Sequence, residues 1–130
     1  ALMGEEPAID VPEEEVLLQA SGVRNVEWHG VAFELAGWLS PNGGEGFVDV
    51  QSGWICGEEC DERATHVGRL RGTPAAVRLS GVQNISFHAC SFRHLGGSGV
   101  HAANGSQRVL LSSCSFEDIS GHGVIFGQID

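Results

Sequence analysis

The chain has 130 residues, 42% hydrophobic and 18% charged, a globular balance with length for one domain and a core of its own. Its formal charge is −10 and its seven cationic side chains, all arginine, are scattered. That argues against nucleic acid and anionic membrane surfaces as partners, since phosphate binding needs clustered Lys and Arg.

The chain opens with an acidic stretch. Glu5, Glu6, Asp10, Glu13, Glu14 and Glu15 fall within its first fifteen residues. Residues 1–14 are read as a solvated lead-in rather than an acidic interaction tail. The opening is acidic where a secretory signal is basic, and it lacks an initiator methionine, so a mature or excised segment is expected. No apolar run approaches the roughly 20 residues that a bilayer span requires.

From residue 15 onward the chain repeats. Val82–Gly105 laid over Ser106–Ile129 puts Cys90 on Cys114, Ser91 on Ser115, Phe92 on Phe116, Leu95 on Ile119, and Gly97-Gly99-Val100 on Gly121-Gly123-Val124, a period of 24 without a gap. Gly22–Phe33 matches Gly81–Phe92 at an offset of 59, so one repeat carries a long insertion. Within a unit the apolar residues alternate: Ile85 and Phe87, then Cys90 and Phe92; Val109 and Leu111, then Cys114 and Phe116. Period two predicts strands, and nineteen glycines without a collagen period predict tight turns between them. So short a unit cannot bury its own inner face, whereas parallel stacking of successive units does, with right-handed crossovers the rule.

The predicted fold is all-β, a right-handed parallel β-helix over 15–130. Its coils of about 24 residues lie at 15–36, 75–97 and 98–121, with a fourth begun at Gly123. Phe33, Phe92 and Phe116 are expected to form an internal aromatic ladder. Residues 37–73 form an inserted loop; Trp38, Phe47, Trp54 and a close cysteine pair predict an ordered flap.

The motif Asn84-Ile85-Ser86-Phe87-His88-Ala89-Cys90-Ser91-Phe92 resembles the strand–turn–strand unit of pectate-lyase-like right-handed parallel β-helix repeat proteins. In that family an inward polar or small residue, often asparagine, stacks at the turn; here Val31, Cys90 and Cys114 occupy it. The stretches Trp38-Leu39-Ser40-Pro41 through Gly46–Gly53 and Asp118-Ile119-Ser120-Gly121 are similar to large secreted β-helix proteins assigned to polysaccharide breakdown. Those proteins are several times longer, so the resemblance implies a piece of such a protein, and it identifies a scaffold rather than a chemistry.

Candidate functional residues follow. His94 aligns with Asp118 one coil on, which sets their Cα atoms about 5 Å apart, and His122 lies at the next turn. In the resembled family, acid–base groups stand on one outer face across neighbouring coils, which makes these three the catalytic candidates. The competing reading is a surface His–carboxylate pair of small energetic value. Trp38 and Trp54 are candidate sugar platforms, or else pack the flap onto the coil. His101 and Arg78 are outward substrate-binding candidates on a neighbouring strand.

Cys56 and Cys60, set among Glu58, Glu59, Asp61 and Glu62, are read as a structural disulfide pinning the flap, which needs an oxidising compartment. Flanking carboxylates suppress thiolate chemistry, and with His66 a tetrahedral zinc site stays one ligand short. Cys90 and Cys114, one coil apart, are expected to be buried free thiols, because stacked side chains point the same way and strain a bond between them. Asn84-Ile85-Ser86 and Asn104-Gly105-Ser106 are glycosylation sequons on one exposed edge.

Two functions stay open. One is a fragment or subunit of an extracellular, glycan-binding or glycan-cleaving β-helix protein of hydrolase or lyase type. The other is a non-catalytic structural glycoprotein module that stacks with other chains in an extracellular assembly. No metal and no cofactor is expected in either. Gly123–Asp130 reads as a strand opening an unfinished coil, so glycan chains, or further coils or subunits covering that C-terminal end, are the expected partners.

Overall fold

A computed structural model describes residues 11–38, 49–51, 54–56 and 70–127, with only the backbone of 49–51, 54–56, 70 and 71. The strands run in chain order as β1 (Leu18–Ser21), β2 (Arg24–His29), β3 (Ala32–Glu34), β4 (Asp49–Gln51), β5 (Trp54–Cys56), β6 (Leu70–Gly72), β7 (Ala75–Ser80), β8 (Gln83–His88), β9 (Ser91–Leu95), β10 (Ser98–Ala103), β11 (Gln107–Ser112), β12 (Ser115–Ile119) and β13 (Val124–Phe126). Among the described residues there is no helix.

Three sheets are wholly parallel: β1-β7-β10-β13, β2-β8-β11 and β3-β9-β12. Their register is that of the repeat: Val26, Ile85 and Val109 form one column, and Phe33, Phe92 and Phe116 another. The protein is therefore all-β with strands paired in parallel, an arrangement compatible with a β-helix-like winding. The insertion supplies a separate antiparallel sheet, β4-β5-β6. The region expected as a loop thus holds strands. The Cys56–Cys60 pairing lies outside the described residues.

The strands alternate inward and outward as the apolar pattern demands. Phe33 stacks on Phe92 at 5.0 Å between ring centroids and Phe92 on Phe116 at 4.8 Å, both 7° from parallel. A second column, on the same offset of 59, stacks Trp28 on Phe87 at 4.7 Å, and Phe87 meets Phe92 edge-on at 5.9 Å. Burial is greatest in the middle repeat, where Val77, Leu79, Ile85, Phe87, Phe92 and Leu95 are enclosed, because strands cover it on both sides. Phe116 keeps 37% of its surface exposed. This corrects the fully internal ladder: β12 pairs with β9 alone among the described strands.

Cys90 is buried and Cys114 half-buried, and both are free thiols, as expected. The Cys90 thiol faces the carbonyls of Trp28 and His88, and that of Cys114 faces Phe87 and Ser112.

The corners repeat as faithfully as the strands. Left-handed backbone recurs in register at Asn25, Asn84 and Arg108 and at Leu35, His94 and Asp118. Asparagine tolerates this region well, and Asn84 Nδ2 donates to Asn25 Oδ1 at 2.8 Å. This exposed asparagine pair continues as Arg108 in the next repeat. A different constraint acts at Gly99, where a Cβ would stand 2.4 Å from the Gly123 carbonyl oxygen. Only glycine admits that approach between β10 and the chain entering β13.

Candidate functional site

The outer face of the β3-β9-β12 sheet carries the densest polar arrangement around the predicted site. On β3, β9 and β12 the outward residues Glu34, Arg93 and Glu117 stand in one register column. Arg93 Nη2 donates to Glu34 Oε1 at 2.7 Å. That hydrogen bond, reinforced by the charges of Arg93 and His94, lowers the Glu34 carboxyl below its ordinary range. The guanidinium is raised in return, chiefly by the same bond.

One residue further along the chain, Leu35, His94 and Asp118 form the next column, all with positive φ near 50–60°. The bend turns two consecutive side chains of each repeat outward, where strict alternation would turn the second one in. His94 Nδ1 and Asp118 Oδ2 meet at 2.9 Å, with both side chains more than half exposed. A non-glycine residue in this conformation costs about 1–2 kcal/mol. Such outliers concentrate at working sites, although Leu35 shows the bend to be a property of the repeat itself.

The pair contacts through Nδ1, which directs the opposite ring nitrogen, Nε2, away from the carboxylate. A carboxylate on one imidazole nitrogen orients the ring and balances positive charge when the other nitrogen accepts a proton. The arrangement is thus competent for acid–base work and, through Arg93 and the acids, for polar recognition along three adjacent strands.

The remaining candidates are dispersed. His122 is half-buried at the corner before β13; its backbone N–H donates to Ser98 Oγ at 3.1 Å and its carbonyl accepts from Gly99. Among the described residues no hydrogen bond, ion pair or ring contact joins its ring to His94 or Asp118. Arg78 and His101 are register neighbours on β7 and β10, on a different sheet. His101 Nε2 is engaged by the Gly127 carbonyl at 2.7 Å. Trp38 is half-buried with its backbone against Gly96, whereas the side chain of Trp54 lies outside the described residues. Asn84 and Asn104 are both exposed, and Asn104 Nδ2 donates to Ser80 Oγ at 2.8 Å.

Sequence reasoning missed Glu34, Arg93 and Glu117. Their signal was present: at offsets of 59 and 24 the alignment superposes acid, base and acid. No protein-family model matches the chain, nor does any curated protein or any solved structure.

Proposed function

We propose that the chain is a right-handed parallel β-helix segment of an extracellular glycan-active protein, and that polysaccharide lies along the outer face of the β3-β9-β12 sheet. The observation that carries this reading is the exposed 2.9 Å His94–Asp118 pair, held by matched left-handed bends beside the Glu34–Arg93–Glu117 column. Adjacent parallel strands repeat about every 4.8 Å, a spacing comparable to the rise of one sugar ring along an extended chain. Successive rings then meet a polar side chain from each of the three strands in turn. Arg93 donates to hydroxyl or carboxylate substituents, the acids accept from hydroxyls, and His94 with Asp118 moves the proton in a cleavage of hydrolase or lyase type. The resemblance to secreted β-helix proteins supports the same compartment, in which glycans at Asn84 and Asn104 stand clear of the core.

The test is incubation of the chain with neutral and acidic polysaccharides, following chain cleavage and, separately, binding. Asp118→Asn is expected to abolish cleavage while thermal stability stays nearly unchanged. Undiminished cleavage in that variant, or a wild type that neither cleaves nor binds any of the polysaccharides, refutes the reading.

A second reading, a structural glycoprotein module stacking with other chains, is favoured by the exposure of Leu110, Phe116 and Phe126 at 52%, 37% and 63% on β11, β12 and β13. Among the described residues the far edges of these strands have no strand partner, and apolar edges of this kind are covered in assembled solenoids. Sedimentation separates the two: a monodisperse monomer contradicts the module.

A further inference from the structure

We infer that the outer face of the β2-β8-β11 sheet holds a binding site for a divalent transition-metal ion, formed by Glu27, His29 and His88. It lies on a different sheet from the His94–Asp118 pair and does not depend on the glycan reading. Glu27 and His29 are two residues apart on β2, so strand parity puts both on the same outward face, while Val26 and Trp28 pack against the core. His88 on β8 is the register partner of His29. Two adjacent repeats thereby place a carboxylate and two imidazoles together.

One of the separations already suits a metal. His29 Nε2 and Glu27 Oε2 are 3.2 Å apart, close to the roughly 3.3 Å edge of a tetrahedron with metal–ligand bonds of 2.0–2.1 Å. One ligand atom from each of the three residues lies within 4.8 Å of the others. The two imidazoles are stacked, 4.8 Å between centroids and 17° from parallel, so their nitrogens point side by side rather than at a common centre. Convergence needs ring rotation about χ2, a soft torsion. The positions allow it, His29 being exposed and His88 half-buried.

The donor set selects the ion. Two imidazoles and one carboxylate suit zinc and its first-row neighbours, whereas calcium and magnesium take oxygen ligands. Three protein ligands leave the fourth position of a tetrahedral ion to water. Bridging β2 to β8, the ion ties the first repeat to the second across 59 residues of sequence.

Zinc chloride is the probe, titrated calorimetrically into the full chain, with cobalt(II) absorption reporting ligand number. One zinc per chain is expected, with affinity reduced at least about tenfold in His29→Gln and in His88→Gln, and a smaller loss in Glu27→Gln. His94→Gln is expected to bind zinc as the wild type does. Zinc is also expected to raise the melting temperature of the wild type and not that of His88→Gln, because only a ligand of the native state stabilises it. Glu27 and His29 are exposed and His88 is half-buried, and metal-free melting curves check that the variants remain folded. Zinc binding unaffected by His29→Gln and His88→Gln, or lost instead in Cys56→Ser/Cys60→Ser, overturns the site. So does a wild type that binds no zinc at millimolar concentration.

Discussion

Replacing Phe92 by alanine probes the aromatic column at its centre. The ring is fully buried between Phe33 at 5.0 Å and Phe116 at 4.8 Å, with the edge of Phe87 at 5.9 Å. Burying a phenylalanine contributes about 1.5–3 kcal/mol by transfer from water, and aromatic pairs add about 0.5–1.5 kcal/mol each beyond their area. Stacked rings above and below hold the space open, so it cannot collapse readily, and the loss belongs near the top of the observed range for such truncations, about 4–5 kcal/mol. Among the described residues Phe116 stacks on one side only, and it keeps 37% of its surface in water; its truncation is expected to cost about 2 kcal/mol. Against a total stability of about 5–15 kcal/mol, the first variant is severely weakened and the second is not. Urea unfolding followed by circular dichroism, with m unchanged, measures both. Equal losses, a larger loss at Phe116, or a Phe92→Ala loss below about 1 kcal/mol would refute the stacked, two-sided enclosure of Phe92.

Gly99→Ala drives a methyl group to 2.4 Å from the Gly123 carbonyl oxygen and 3.2 Å from the Phe116 ring. A loss of about 1–3 kcal/mol is expected in the same urea assay, with faster amide exchange at Val100, whose N–H is bonded to Gly123; wild-type stability would contradict the close approach. Glu34 has its pKa lowered in the folded chain, first by the Arg93 hydrogen bond. Its contribution is therefore present above the unfolded-state pKa and is lost as pH falls through the folded value. Carboxyl titration by NMR should show Glu34 returning toward the ordinary glutamate range in Arg93→Gln, and an unchanged titration would show that the bond is not formed in solution.

The 24- and 59-residue offsets written in the chain already pair Phe33 with Phe92 and Phe116, and His94 with Asp118, before any coordinate is known. Alternation of apolar residues puts Ile85 and Phe87 inside for the same reason: period and register are one-dimensional properties that parallel strands transcribe directly into space. What a repeat does not carry is the direction in which each corner turns. The left-handed bend at Leu35, His94 and Asp118 makes Arg93 and His94 consecutive outward neighbours, joining the Glu34–Arg93–Glu117 column to the predicted pair. The same geometry puts Arg78 and His101, expected on a neighbouring strand, in another sheet and leaves the backbone of His122 bonded at a corner. Burial is likewise not a property of the repeat position. Phe92 and Phe116 are equivalent in the alignment, yet one is fully enclosed and the other keeps 37% of its surface exposed, β12 having β9 as its one strand partner among the described strands. The offset of 59 superposes His29 on His88, but only the tertiary structure brings the Glu27 carboxylate to 3.2 Å from the His29 ring and groups the three side chains.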